Sequence, residues 1–181
     1  MQGIPRSEEV VSADSVQAAL DRMAAEITAR LAGERPLVIT VLNGGLVFAG
    51  QLLPRLPFEL ELGYVHVRRY GREKNGGELV WIAGPQDSVT GRCVLLLDDI
   101  LDEGHTLVSI RARLFELGAR EVLLAALAVK DRGKPAAVTA DFVGLRVPDR
   151  FVFGFGMDVG GSWRNLPSIR ALAETATCLA M

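Results

Sequence analysis

The sequence predicts an α/β domain with a mostly parallel central sheet flanked by helices, and three observations carry that expectation. Leu37–Leu42, Val94–Leu97 and Val122–Val129 are continuous aliphatic runs, the pattern of strands covered on both faces. Two apolar stripes at three- and four-residue steps, Val16-Leu20-Met23-Ile27-Leu31 and Leu107-Ile110-Leu114-Leu117, mark amphipathic helices. The long runs end at Asn43-Gly44-Gly45, at Asp98 to Gly104 and at Lys130-Asp131-Arg132, and strand-helix-strand units bring such turns together at the carboxyl edge of a sheet.

Composition sets the bounds. With 181 residues, 49% of them hydrophobic, the chain is expected to form a single well-cored domain over residues 1–181. Its 20 basic and 22 acidic residues are interspersed without a basic block, so neither a nucleic-acid partner nor an anionic membrane surface is implied. No apolar run approaches a membrane span, and the stretch from Met1 to Glu9 lacks a signal peptide's apolar segment, so a cytoplasmic location is expected. Cys93 and Cys178 are too far apart in sequence to suggest a metal or redox pair and read as buried thiols.

In chain order, Asp14 is placed to cap the first helix with Gln17 three residues on, and Gly33 to end it. The strand Leu37–Leu42 follows, then a Gly-Gly turn and a helix from Leu46 to Leu53. The glycines suit either a tight turn or a seat where backbone N–H groups meet a phosphate. Phe58, Leu60, Leu62, Val65 and Val67 alternate with polar residues or Gly63, which predicts a strand bulged after Gly63. His66, inside that strand, reads as a structural residue. The polar segment from Arg68 to Gly77 and the returning run Glu78–Ala83 predict a flexible two-stranded flap over 68–83. A helix is expected from Thr106 to Gly118, a strand over Val122–Val129 and a short strand at Phe142-Val143. The tail admits a strand at Ile169–Leu172 or a helix through Ala173 and Leu179.

The centre of the chain is Val94-Leu95-Leu96-Leu97-Asp98-Asp99-Ile100-Leu101-Asp102-Glu103-Gly104-His105-Thr106-Leu107. A carboxylate pair at a strand's end can hold diol hydroxyls and a hard cation, and N–H groups around Gly104 at a helix start can seat a phosphate. Apolar strand, two acids, two apolar residues and Asp-x-Gly-x-Thr resemble the 5-phosphoribosyl 1-diphosphate (PRPP) loop of the type I phosphoribosyltransferases. A second stretch, Pro148-Asp149-Arg150-Phe151-Val152 with Gly154-Phe155, Asp158 and Arg164-Asn165-Leu166, resembles the base-binding hood of the 6-oxopurine members, including bacterial hypoxanthine-guanine enzymes.

The resemblance implies a type I phosphoribosyltransferase fold, with a hood over about 148–181 joined by the N-terminal segment. It also implies roles. Asp98, Asp99, Asp102, Glu103, Gly104, His105 and Thr106 would bind the ribose phosphate of PRPP, with Asp102 as general base. Leu42, Asn43, Gly44, Gly45 and Arg164 would hold pyrophosphate, with a cis peptide between Leu42 and Asn43. Lys130, Phe151, Val152 and Asp158 would bind the purine, Arg69 and Tyr70 would lie in the flap, and Asp98, Asp99 and Asp158 would assist Mg2+. Hypoxanthine, guanine or xanthine would be the base, IMP or GMP and pyrophosphate the products, and a homodimer or homotetramer the assembly.

Three positions depart from the family pattern. Asp98 stands where Glu is usual and is one methylene shorter, so its ribose contact is expected to lengthen or pass through water. Glu103 replaces a hydroxyl residue and brings a negative charge beside the phosphate, so its side chain must point away. His105 is either a cation that offsets Glu103 or a solvent-facing loop residue. A competing class is a regulatory protein that keeps this fold to sense PRPP or nucleotides and binds RNA or DNA. The absence of a basic stripe and the presence of Asp102 and Lys130 favour the enzyme.

Overall fold

The aliphatic runs become the inner strands of a six-stranded sheet in the computed structural model, which describes residues 3–70, 78–85 and 88–173. In chain order the elements are β1 (Ser7–Val11), α1 (Ala13–Leu31), β2 (Leu37–Leu42), α2 (Gly45–Leu52), β3 (Glu61–Tyr70), β4 (Glu78–Ala83), β5 (Cys93–Leu101), α3 (His105–Glu116), β6 (Glu121–Asp131), β7 (Phe142–Pro148), β8 (Val152–Phe153) and β9 (Ile169–Leu172). The large sheet runs β4-β3-β2-β5-β6-β7 and is parallel except for β4. A small antiparallel sheet, β1-β9-β8, called the hood below after its expected place, joins the N-terminal strand to the end of the described chain.

Helices cover both faces of the large sheet, which is why its central strands are aliphatic throughout. One core packs α1 and α2, through Leu20, Ile27 and Phe48, against Leu95, Leu97 and the hood residues Val152 and Ile169. The other packs α3, through Leu107, Ile110 and Leu114, against Ile39, Leu96 and Leu124.

Several local expectations are corrected. The cap of α1 is Ser12, whose hydroxyl accepts from the Ser15 N–H, because the helix already begins at Ala13 and leaves Asp14 in its first turn. That helix closes at Ala32, and Arg35, not Gly33, takes the left-handed backbone with φ 44°. Strand β3 starts at Glu61 and stays in register with β2 across Gly63; the irregularity lies between His66 and Val67, where the antiparallel β4 joins. Strand β5 runs on through both acids to Leu101, since Asp98, Ile100 and Leu101 keep their pairing with β6. Ile169–Leu172 is a strand, zipped between β1 and β8, and the alternative helix toward Leu179 lies outside the described residues beyond Ala173.

Phe153 and Phe155 are buried, as core residues should be, but they do not share one strand. Gly154, Phe155 and Gly156 all have positive φ and reverse the chain after β8. Cys93 is buried, and burial with the adjacent Glu121 pushes its thiol up to about 11. Cys178 lies outside the described residues, as does the flap loop over 71–77. Among the described residues no helix is long and apolar enough to cross a membrane.

Candidate active site

Parallel pairing determines what meets at the carboxyl edge. Strand β2 stops at Leu42, opposite His66 of β3, and the peptide from Leu42 to Asn43 is cis. The chain then turns through Gly44 into α2. A Cβ on Gly44 would overlap the carboxylate of Asp99, and one on Gly156 would overlap the Gly44 carbonyl oxygen. The two glycines therefore let the turn after β2, the end of β5 and the hood touch one another.

These elements line a cavity of about 460 Å³. From the turn after β2 come Leu42, Asn43 and Gly44, and from β5 and the turn beyond it Asp98, Asp99, Asp102 and Thr106. Lys130 arrives at the end of β6, and the hood contributes Phe151, Val152, Asp158 and Arg164. Glu103, Gly104, His105 and Gly45 lie outside that lining. Gly104 caps α3 with φ 83°, and its α-carbon packs against Val138. Gly45 opens α2 against Leu97 and Thr40.

Asp98 and Asp99 are adjacent acids in a strand, and their carboxylates turn back on the main chain. The Asp99 N–H donates to Asp98 Oδ1 at 3.1 Å and the Ile100 N–H to Asp99 Oδ1 at 3.0 Å. Burial, followed by the neighbouring charge of Asp99, holds the Asp98 carboxyl well above its ordinary range. Burial also raises Asp99, against the opposing influence of Asp98's hydrogen bond and the Arg164 charge. A pair of desolvated acids facing a cavity is poised for a cation, which would remove the cost of ionising both.

Asp102 is two-fifths exposed and carries two cations. Lys130 Nζ donates to Oδ2 at 2.8 Å, and Arg132 Nε lies 3.3 Å from Oδ1. Arg132 also donates to Glu103 Oε1 at 2.9 Å. The charge of Glu103 is thus met by Arg132, while His105 is exposed at the first turn of α3.

In the hood, Arg164 Nη2 pairs with Asp158 Oδ1 at 2.6 Å and Nη1 donates to the Gly156 carbonyl. The other Asp158 oxygen accepts from the Gly161 N–H at 2.7 Å. Phe151 is 43% exposed beside the cavity whereas Val152 is buried, so a large aromatic face stands open next to a fixed backbone. Arg69 and Tyr70 end β3, but their side chains lie outside the described residues.

His66 and Arg68 also line the cavity, and sequence reasoning missed both as site residues. The signal was available: they share a face of β3 at a two-residue spacing, and a parallel partner ending at Leu42 sets that face beside the Gly-Gly turn. Arg132 was missed as well. A charged residue in place of a hydroxyl at Glu103 calls for a nearby cation, and Lys130-Asp131-Arg132 ends at the same sheet edge.

The phosphoribosyl transferase domain model matches residues 7–159. The chain is 36% identical over 165 residues to the hypoxanthine-guanine phosphoribosyltransferase of Bacillus subtilis, covering 90% of this chain and 91% of that protein. It is 37% identical over 164 residues to the bifunctional protein TilS/HprT of Listeria innocua, covering 90% of this chain but only 25% of that longer protein. Among solved structures, a hypoxanthine phosphoribosyltransferase from Staphylococcus aureus superposes with a TM-score of 0.87 at 27% identity, covering 94% of this chain and 93% of its own. The chain belongs to the phosphoribosyltransferase family, with the type I fold its motifs implied. Within that family its similarity runs to the 6-oxopurine enzymes of purine salvage.

Proposed function

We propose that this chain moves the 5-phosphoribosyl group of PRPP to N9 of hypoxanthine or guanine, giving IMP or GMP and pyrophosphate, with xanthine a further candidate base. The observation that carries the reading is one cavity that joins an exposed aromatic face and a lysine, Phe151 and Lys130, to the buried acid pair Asp98-Asp99 and the glycine turn at Asn43-Gly44. That combination suits a flat base bearing an oxo group at one end and a sugar diphosphate at the other.

In this reading Phe151 stacks on the purine, a contact of about 1 to 3 kcal/mol for a base on an aromatic ring. Lys130 donates to the 6-oxo group; an ammonium has no acceptor for an amino group, so adenine is disfavoured. The Val152 main chain reads the ring edge beside Asp158. Asp98 and Asp99 hold the ribose hydroxyls, and the start of α3 with Gly104, His105 and Thr106 seats the 5-phosphate. Asp102 takes the imidazole-ring proton as the N-glycosidic bond forms. Arg164 and the amides of Asn43, Gly44 and Gly45 stabilise the departing pyrophosphate. The flap over 68–83, with Arg69 and Tyr70, closes the site against water.

Mg2+ fits this donor set. No cluster of three or more potential ligands occurs among the described residues, which suits an ion held by one or two carboxylates and completed by substrate oxygens and water. Asp98 and Asp99 supply such carboxylates; Asp158, whose oxygens already serve Arg164 and Gly161, would have to exchange a partner to join them. When bound, the ion neutralises charge on the diphosphate. Family resemblance further supports a cytoplasmic homodimer or homotetramer. The named relatives are transferases, which favours catalysis over the ligand-sensing regulator.

The experiment is a PRPP- and Mg2+-dependent assay of nucleotide formation with hypoxanthine, guanine, xanthine and adenine, repeated on Asp102→Ala. Turnover of oxopurines that collapses in the variant supports the reading. Equal rates in variant and parent would remove Asp102 from its role, and turnover of adenine alone would reject the base class.

A further inference from the structure

The two cations on Asp102 make unequal contacts with its two oxygens. Lys130 Nζ donates a well-formed hydrogen bond to Oδ2 at 2.8 Å. Arg132 Nε is buried 3.3 Å from Oδ1 but has no hydrogen-bond acceptor in proper alignment, one of only two buried side-chain donors or acceptors so placed among the described residues. A buried, unsatisfied donor of this kind is costly, and here the atom that would satisfy it is already adjacent. The Arg132 side chain is 15% exposed and is anchored by Glu103 at 2.9 Å, with Asp149 at 4.0 Å beyond. It cannot leave easily. Lys130, by contrast, lines the cavity and is assigned above to the purine oxo group, a second acceptor that draws its ammonium away from Oδ2.

We propose that Arg132 is the positioning residue for Asp102 and takes over its charge when the base arrives. This inference rests on the roles given to Asp102 and Lys130 above. As the purine enters, Lys130 turns from Oδ2 to the 6-oxo group. Asp102 then settles onto Arg132 Nε through Oδ1, which completes the unsatisfied donor and leaves Oδ2 as the accepting oxygen. The N9–C1′ bond forms as the C1′–O bond to pyrophosphate breaks, pyrophosphate departs with that electron pair, and the imidazole-ring proton passes to Oδ2. Asp102 becomes neutral at that moment. Arg132 stays paired through Glu103, so one carboxylate still faces the guanidinium after the transfer. Glu103 thereby has a use that its departure from the family pattern did not suggest.

The test is steady-state kinetics with hypoxanthine and PRPP on Arg132→Gln, Arg132→Lys, Asp102→Asn and the double variant Asp102→Asn/Arg132→Gln, with thermal unfolding of each. Loss of the oriented guanidinium should lower kcat by about tenfold while the PRPP KM stays within about twofold. Arg132→Lys should fall between parent and Arg132→Gln. The double variant should be no slower than Asp102→Asn, because the arginine acts through the acid. Parental kcat in Arg132→Gln with a slow Asp102→Asn would overturn the positioning role and leave the Asp102 reading intact. Parental kcat in Asp102→Asn would overturn that reading and this inference with it. A multiplicative loss in the double variant, or a kcat loss matched by an equal rise in PRPP KM, would also reject it by making Arg132 a support of the loop as a whole. If Arg132→Gln does not fold, the cycle is run with Arg132→Lys, for which intermediate kcat is expected and parental kcat overturns the proposal.

Discussion

Gly44 is packed so closely against Asp99 that a methyl group on its α-carbon would occupy the carboxylate's position. The turn that is assigned pyrophosphate and the acid that is assigned ribose are therefore one mechanical unit. Gly44 has ordinary right-handed helical backbone, φ −56° and ψ −51°, so for alanine there the nearest obstacle is this carboxylate and not the backbone conformation. The Asp99 side chain can swing into the cavity to relieve it. We expect Gly44→Ala to fold with a loss of no more than about 1 to 2 kcal/mol but to lose most activity. Gly156→Ala meets a backbone oxygen at φ 106° and has no such escape, so it should cost about 3 kcal/mol or more. Denaturant melts of the two variants beside their kcat values check the contrast; a Gly44→Ala enzyme with parental activity would contradict it.

The raised carboxyls of Asp98 and Asp99 set a pH dependence. Unfolded, an aspartate ionises near about pH 4, whereas in the folded chain burial delays ionisation of both. The native state thus binds more protons, and the pair's contribution to stability falls as pH rises from about 4 through the raised values. Asp98→Asn removes the share of that dependence carried by Asp98 and leaves Asp99 buried. In Mg2+-free buffer the variant's Tm should exceed the parent's by a margin that widens from pH 4 upward, and Mg2+ with PRPP should narrow it. A pH-independent margin would count against the account.

How much of this was legible beforehand differs by kind of contact. The strands and their carboxyl-edge turns follow from aliphatic runs and glycines, both local signals, and Val94 through Leu107 with Phe151 marked two stretches that the fold brings to one cavity. What the sequence did not disclose depends on packing between distant segments. The extension of β5 through Asp98 and Asp99 comes from pairing with β6, and the partner of Glu103 sits 29 positions away at Arg132. His66 looked structural because only the parallel register with Leu42 places it at the cavity.

Glu103 carries charge near the start of α3, but Arg132 holds its side chain. Replacing it with threonine would remove the charge and free the guanidinium. Two effects oppose each other: the phosphate loses a nearby repulsion, while Asp102 loses a fixed neighbour. We expect Glu103→Thr to lower the PRPP KM by about two- to fivefold and to lower kcat by a similar factor, given exposed charges worth under about 1 kcal/mol. Measuring both constants at low and high salt checks this, since the KM effect should shrink with screening.

Phe151 stands 43% exposed beside the cavity, available to a flat ring. Phe151→Ala should raise the KM for hypoxanthine and guanine by about tenfold or more while leaving the PRPP KM unchanged. Phe151→Tyr should retain most affinity. A parallel rise in both KM values would show that the side chain supports the site as a whole.

Lys130 is the residue on which the assignment of a 6-oxopurine turns, because its ammonium is the one group given the task of distinguishing an oxo from an amino substituent. The direct measurement is the ratio of kcat/KM for hypoxanthine over adenine, with saturating PRPP and Mg2+, in the parent and in Lys130→Met. The parent should prefer hypoxanthine by at least about a thousandfold, and the variant should lose about a hundredfold or more of that preference, as expected when a buried donor to a substrate oxygen is deleted. A parent that uses adenine as well as hypoxanthine, or a variant that keeps the full ratio, would contradict the account.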